Sequence, residues 1–74
     1  MQTPLLIQLN GQQKTLEHLN SPSPLSLVIS ALALKSDRIA AEHNGQIAPR
    51  TTWSEVQIYT GDRLEIVHFV GGGA

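Results

Sequence analysis

The chain has 74 residues, enough for one domain, and a formal net charge of −1 from five basic and six acidic residues. It contains no cysteine, which excludes disulfides, thiolate metal centres and a thiol nucleophile. With no basic run and one each of Phe, Trp and Tyr, nucleic acid is not expected as a main partner. No membrane-length apolar run and no basic, apolar leader stand out, so a cytoplasmic protein is expected.

The first predicted element is a β-hairpin. The apolar run over residues 5–9 predicts a strand, and Asn10-Gly11 follows it directly. Asn-Gly is the pair that favours a type I′ turn, because both central residues of that turn need positive φ. Residues 14–19, where apolar and polar side chains loosely alternate, form the predicted return strand.

A helix over residues 24–34 is predicted next. Ser23 is a suitable N-cap, and Pro24 suits the first helical position. Apolar residues then recur at the i, i+3, i+4, i+7 spacing of a single helical stripe. They are Leu25, Val28, Ile29 and Leu32. We expect this stripe to lie across the face of a sheet.

The second half of the chain predicts another hairpin. Residues 39–43 form a strand, Asn44-Gly45 a second tight turn, and residues 46–47 a brief return strand. Pro49 ends that strand, because it cannot donate a ladder hydrogen bond.

One turn of helix and a final strand complete the predicted elements. Thr52 and Glu55 have the spacing of a capping box, which predicts the helical turn. Residues 63–70 then form the last strand. An opening hairpin, one long helix and further strands predict an α+β domain with a mixed sheet of four to five strands.

The last strand presents two different faces. Alternation places Leu64, Ile66 and His68 on the inner face, where His68 is expected to be a packed core histidine. The outer face begins with two charged residues and continues with Val67 and Phe69, just before the glycines. An exposed apolar pair beside a glycine run predicts a partner-docking patch. The alternative is that Phe69 folds back over the edge of the domain.

Histidines and carboxylates suggest no catalytic or metal site. His18 and His43 could approach each other across strands, but no third ligand is evident. The six carboxylates show no close acid/base pair, and no nucleophile–base set is present. We therefore expect no catalytic residue, no metal ligand and no bound cofactor.

Three stretches resemble the ThiS family of sulfur carriers in thiamin biosynthesis, which have the ubiquitin-like β-grasp fold. They are "IQLNGQ", "NGQIAPR" before a tryptophan, and "GDRLEIVHFVGG". The resemblance covers most of the chain, with residues 20–38 the least distinctive. In the middle stretch, Trp53 is expected as a lid on a small core, Pro49 as a turn residue, and Arg50 as a possible partner contact.

The resemblance implies a β-grasp domain over residues 1–70 and a flexible tail over residues 71–74. The tail glycines Gly71, Gly72 and Gly73 would let the backbone thread a narrow channel. A ThiF-like activating enzyme would use ATP to adenylate the terminal glycine carboxylate, and sulfur from a donor protein would displace AMP. A ThiG-like thiazole synthase would then receive sulfur from the thiocarboxylate.

Ala74 departs from the family pattern, which ends in Gly-Gly. It is an added residue, an extension trimmed before activation, or the native end. In the first two cases Gly73 carries the sulfur, which is the interpretation we favour. In the third case the carboxylate of Ala74 is presented, and the carrier role is in doubt.

Two other functions share this fold. A MoaD-like carrier for molybdopterin synthesis would have the same fold and tail, although the "VHFVGGG" ending and the short chain favour the thiamin carrier. A ubiquitin-like interaction module would have an inert tail. Deleting residues 71–74 distinguishes a carrier from an inert module, because only the carrier then loses its activity.

Overall fold

A computed structural model describes residues 3–69 of the chain, which form a mixed β-sheet, a second small sheet and one α-helix. The strands are β1 (Pro4–Leu9), β2 (Gln12–Asn20), β3 (Ser23–Pro24), β4 (Ile39–His43), β5 (Gln46–Ala48), β6 (Gln57–Ile58) and β7 (Arg63–His68). The five-stranded sheet has the order β2-β1-β7-β4-β5, and β3 pairs with β6. β1 and β7 are parallel, whereas the other pairs are antiparallel. The predicted α+β class and strand count are confirmed.

Both predicted Asn-Gly turns are present. Asn10 and Gly11 have φ values of 50° and 82°, and Asn44 and Gly45 have values of 51° and 87°. Positive φ at both central residues is the signature of the type I′ turn. These turns join β1 to β2 and β4 to β5, so each hairpin is specified by local sequence.

The helix α1 (Leu25–Ala31) is shorter than predicted at both ends. Ser23 is not its N-cap: Ser23 lies in β3, and its hydroxyl donates to the carbonyl of Asn20 at 2.6 Å. Pro24 occupies the N-cap position instead of the first helical position. Ala33 has a φ of 60°, a left-handed conformation that ends the helix before residue 34.

Among residues 3–69, no helix is long and apolar enough to cross a bilayer.

Two short 3₁₀ turns and the β3–β6 pair were not predicted as such. The 3₁₀ turns lie at Ser36–Arg38 and Arg50–Thr52. Thr52 ends the second turn rather than capping a helix, and its hydroxyl donates to the carbonyl of Pro49 at 2.7 Å. A two-residue strand has too short a pattern to be recognised by alternation, so β3 and β6 escaped prediction.

The hydrophobic core lies between the inner face of the large sheet and α1. Its members come from β1, β2, α1, β4, β5, β6 and β7 and from the residue after the second 3₁₀ turn: Leu5, Ile7, Leu16, Leu25, Val28, Ile29, Ile39, Ala41, Ala48, Trp53, Ile58, Leu64 and Ile66. Trp53 is 4% exposed, and its indole N–H donates to the carbonyl of Ala48 at 2.8 Å. The expectation that Trp53 covers a small core is confirmed.

Candidate functional site

The last strand, β7, lies in the middle of the large sheet. It is flanked by β1 on one side and by β4 on the other. Because both neighbours hydrogen-bond to it, its direction and register are fixed more firmly than those of an edge strand. The domain boundary at residue 70, together with the tail glycines Gly71, Gly72 and Gly73, lies outside the described residues.

The asparagines of the two turns also hold β7. The Ile66 N–H donates to Asn10 Oδ1 at 2.8 Å, and the Arg63 N–H donates to Asn44 Oδ1 at 2.8 Å. The backbone N–H groups of the same asparagines donate to the carbonyls of Leu64 and Arg63, each at 2.9 Å. Each asparagine thus adds one side-chain and one backbone hydrogen bond to those that join β7 to its neighbouring strands. The sequence predicted both as turn residues only, since their long-range bonds depend on strand order.

The two faces of β7 are distinguished as predicted, except at His68. Leu64 and Ile66 are buried, whereas Val67 is 60% exposed and Phe69 is 57% exposed. His68 is exposed, so the prediction that it packs in the core is wrong. Alternation assigns a side chain to one face of a strand, but it does not say how far the covering layer extends along that face.

Phe69 does not fold back over the domain. Its backbone N–H donates to the carbonyl of Arg38 at 2.8 Å, which fixes the chain just after β7. The ring nevertheless remains more than half exposed. Val67 and Phe69 therefore form an exposed apolar pair at the end of the described chain, while their docking role remains a prediction.

The apolar surface that begins at Val67 and Phe69 continues over β4 and β5 on the outer face of the sheet. Val67 lies opposite Ala40 in the β4–β7 register, and Glu42 lies opposite Ile47 in the β4–β5 register. Ile47 is 72% exposed, and sequence reasoning assigned it no role. The two-residue turn at Asn44-Gly45 could have located it, since such a turn fixes the hairpin register.

Two acidic residues also lie on neighbouring strands of this face. Glu42 lies opposite Glu65 in the β4–β7 register. The sequence suggested no close acid/base pair among the carboxylates, and the register makes these two residues, 23 positions apart in sequence, cross-strand neighbours. A groove of about 220 Å³ lies over this region. It is lined by Ala40, Ala41, Glu42, Ile47, Glu65 and Val67.

Arg50 lies away from this outer face. Its guanidinium donates to the carbonyl of Ser36 at 3.3 Å, and the side chain is exposed. It borders a hollow of about 390 Å³ that Trp53 and residues of α1 also line. Arg50 therefore joins two short 3₁₀ turns, and a partner contact at Arg50 stays a prediction.

The histidines do not converge on a metal site. His18 is on β2 and His43 on β4, and β1 and β7 separate these two strands. The expectation that they could approach each other is therefore wrong. His43 instead contacts Asp62 at 2.7 Å. Within residues 3–69, no cluster of three or more His, Cys, Asp or Glu side chains could hold a metal ion.

Comparison with known proteins identifies relatives of this chain. A family model described as the ThiS family matches residues 7–73. The sulfur carrier protein ThiS of Bacillus subtilis is 31% identical over 68 residues, which are 92% of this chain and 100% of that protein. A thiazole synthase of Paramagnetospirillum magneticum is 30% identical over 66 residues, or 89% of this chain. The chain spans about a fifth of the length of that thiazole synthase.

A solved structure shows the same fold. The crystal structure of the thiamine biosynthesis protein ThiS from Geobacter metallireducens matches with a TM-score of 0.80 and 24% identity. The match covers 93% of this chain and 100% of that chain. The predicted β-grasp fold is thereby confirmed, with the helix packed on one face of a five-stranded mixed sheet.

Proposed function

The chain belongs to the ThiS family, and we propose that it is a sulfur carrier for the biosynthesis of thiamin. The observation that carries the proposal is the match of the family model, which runs through β7 and on to Gly73. The sulfur carrier of Bacillus subtilis, matched over its whole length, supports the same function. These matches favour thiamin over molybdopterin as the product that the carrier serves.

The reacting group in this proposal is the main-chain carboxylate of Gly73. One of its oxygens attacks the α-phosphorus of ATP in a ThiF-like activating enzyme, and pyrophosphate leaves. Hydrosulfide released by a sulfur donor then attacks the acyl carbon; a C–S bond replaces the bond to AMP, and loss of AMP and of the sulfur-bound proton leaves the thiocarboxylate. The match ends at Gly73, which supports Gly73 rather than Ala74 as the modified residue.

The chain acts as a co-substrate in this scheme, and its partners supply the catalysis. ATP belongs to the activating enzyme, so the chain itself needs no bound cofactor. The requirement for ATP also suits a location in the cytoplasm. The domain contributes a fixed origin for the tail: β7 is central in the sheet, and Asn10 and Asn44 hydrogen-bond to it from both sides.

Val67 and Phe69 are proposed to contact the partner enzymes. Both are more than half exposed, and both lie within six residues of Gly73 in the sequence. Burying such apolar side chains against a partner would stabilise the complex. That gain would offset part of the entropy lost when the tail becomes ordered, about 1–2 kcal/mol per residue.

Intact mass spectrometry tests the proposal. The chain is incubated with ATP, a sulfur donor and the activating enzyme, and replacement of one oxygen by one sulfur at the C-terminus is expected. A variant lacking residues 71–74 serves as the control: it should fold but gain no sulfur. A second variant that ends at Gly73 determines whether Ala74 must be removed first. Absence of adenylation for every tail length would refute the carrier function.

The thiazole synthase is the proposed recipient of the sulfur. Its support comes from relatives that bear this name and contain a segment similar to this chain. Mixing the thiocarboxylate form with the cognate thiazole synthase and its other substrates, which accept the sulfur, should return the carrier to its carboxylate mass. A thiocarboxylate that persists with the active synthase and its other substrates would argue against this recipient.

A further inference from the structure

The two tight turns have the same local sequence. Asn10-Gly11 and Asn44-Gly45 are each followed by glutamine, so the segment Asn-Gly-Gln occurs twice in the chain. Both asparagines and both glycines are exposed. A Cβ atom added to either glycine would meet no atom within 4 Å, so the space around both turns is open. A difference in chemical reactivity between the two turns must therefore come mainly from the surrounding structure.

An asparagine followed by glycine can react with its own main chain, because glycine has no side chain to block the approach of its nitrogen. After that nitrogen loses its proton to a base, it attacks Cγ of the asparagine and a C–N bond forms. The bond from Cγ to Nδ2 breaks, and Nδ2 takes up a proton and leaves as ammonia. Water then opens the resulting succinimide. Attack at the main-chain carbonyl gives isoaspartate, and attack at Cγ gives aspartate.

The closed turn protects each asparagine from this reaction. In a type I′ turn the first central residue has a ψ of about +30°, which turns the glycine nitrogen away from Cβ. The side chains are also held. Oδ1 of Asn44 accepts from the Arg63 N–H and Oδ1 of Asn10 accepts from the Ile66 N–H, each at 2.8 Å. The turn must therefore open before the ring can close, so the free energy of local opening sets the rate.

The hairpin that contains Asn44 is the smaller of the two. Its second strand, β5, has three residues and lies at the edge of the sheet, paired with β4. The hairpin that contains Asn10 joins strands of six and nine residues. Gln46 and Ile47 of β5 are exposed, which leaves Ala48 as its buried residue. Opening β5 therefore breaks fewer ladder hydrogen bonds and exposes less apolar surface than opening β1 from β2.

We propose that Asn44 is a site of spontaneous deamidation, and that local opening of the β4–β5 hairpin makes it react before Asn10. The inference goes beyond the proposed function, because the reaction involves only this chain, water and base. The contact of 2.7 Å between His43 and Asp62 joins the end of β4 to the turn before β7. That contact therefore helps to keep the hairpin closed and controls the rate.

The products should loosen the support of β7. Isoaspartate takes the main chain through the former side chain, which adds one carbon to the turn and removes the acceptor for the Arg63 N–H. Aspartate retains an acceptor but adds a negative charge close to Asp62. The side chains of Asn44 and Asp62 both lie against Nε2 of His43, at 3.2 and 2.7 Å. Both products therefore favour the open hairpin, and the modified fraction should have a lower Tm.

Peptide mapping of the full chain during incubation in mildly alkaline buffer tests the proposal. Products at residue 44 should form at least about fivefold faster than products at residue 10, the ratio that about 1 kcal/mol of difference in opening free energy gives. In concentrated urea the two sites should react at similar rates, because their local sequences match. Equal rates in the folded chain would overturn the proposal, as would a faster reaction at Asn10 or a ratio that persists in urea.

Asp62→Asn separates local opening from global unfolding. The variant weakens the contact with His43, so the rate at Asn44 should rise about fivefold while the rate at Asn10 stays the same. Asp37→Asn is the matched control, because it makes the same change at an exposed residue of the first 3₁₀ turn and should alter neither rate. An equal rise at both asparagines in Asp62→Asn would show that they react through global unfolding, and the proposal would be wrong.

Hydrogen exchange measures the same opening without the covalent reaction. The Arg63 amide becomes free when the turn at Asn44 opens, and the Ile66 amide becomes free when the turn at Asn10 opens. After correction for intrinsic rates, the Arg63 amide should exchange at least about fivefold faster than the Ile66 amide. Equal or slower exchange at Arg63 would contradict the order of opening on which the proposal depends.

Discussion

His43, the last residue of β4, contacts Asp62 in the turn before β7, with 2.7 Å between His43 Nε2 and Asp62 Oδ2. An ionised carboxylate can only accept, so Nε2 carries the proton and donates it. The Tyr59 N–H donates to the same carboxylate oxygen at 2.9 Å. Asp62 therefore fixes its own turn and also joins that turn to the β4–β5 hairpin.

The Asp62 carboxyl should make stability depend on pH in the acid range. Burial raises the pKa of Asp62, but hydrogen bonds from the Tyr59 amide, His43 and Asn44, together with the charge of His43, outweigh burial and hold that pKa below its ordinary value. Because the folded state has the lower pKa, the ionised group contributes stability above the unfolded value of about 3.9. This contribution is lost as pH falls through the lower, folded value.

Asp62→Asn tests this dependence. The amide oxygen can still accept from the Tyr59 N–H, so the variant removes mainly the charge. At pH 7 we expect it to lower the free energy of unfolding by about 1–2 kcal/mol. Urea titrations from pH 7 to pH 2 should show this difference shrinking in acid, with Glu55→Gln as the control for net charge. A difference that stays constant down to pH 2 would contradict the mechanism.

Asn10 should stabilise β7 through its side chain as well as through its turn. Glycine tolerates the φ of 50° at this position, so Asn10→Gly preserves the turn, but it removes the acceptor for the Ile66 N–H. We expect a loss of about 1–2 kcal/mol in the free energy of unfolding. Asn10→Asp retains the acceptor and should lose less than half as much. Faster hydrogen exchange at the Ile66 amide in Asn10→Gly alone would confirm the cause; equal exchange in both variants would argue against it.

Trp53 should contribute through its indole N–H in addition to its buried area. Trp53→Phe leaves the Ala48 carbonyl without this donor and reduces the buried apolar volume. The expected cost is about 1–3 kcal/mol in the free energy of unfolding, measured by denaturant titration. Tyr59→Phe is a suitable control, because Tyr59 is 53% exposed and should change stability by less than about 0.5 kcal/mol. Similar losses in both variants would show that the indole hydrogen bond is unimportant.

Phe69 should matter for binding far more than for folding. Phe69→Asp retains the backbone bond to the Arg38 carbonyl and alters a side chain that is 57% exposed. The free energy of unfolding should change by less than about 0.5 kcal/mol, while affinity for the partner enzymes should fall about tenfold. Leu27→Asp introduces the same charge on α1 as a control. Global unfolding of Phe69→Asp would mean that the ring belongs to the core.

The sequence predictions were correct where the interactions join residues close together in the chain, and wrong where the interactions join distant residues. Asn10-Gly11 and Asn44-Gly45 were predicted correctly, because the φ preferences of two adjacent residues decide the turn. The predicted extent of α1 was wrong, because Ser23 lies in a strand that pairs it with Ile58, 35 positions away. His68 was misplaced for a related reason, since the layer that covers the inner face does not reach the end of β7.

The candidate site shows the same division. Val67 and Phe69 could be assigned to an outer face from the two-residue period of a strand. Glu42 and Glu65, by contrast, become neighbours only through the β4–β7 register, which no local pattern contains. Ile47 is intermediate, because its position follows from a short turn that the sequence does reveal.

The amino-acid sequence by itself determined the hairpins, the apolar stripe of the helix, the faces of the last strand and the family resemblance. Each of these depends on residues a few positions apart, whose conformational preferences and spacing act within one element. Only the tertiary structure decided that β7 is central, that two asparagines hold it, and that two glutamates share a groove with Ile47. Those relationships arise because the order and register of strands bring together residues that are distant along the chain.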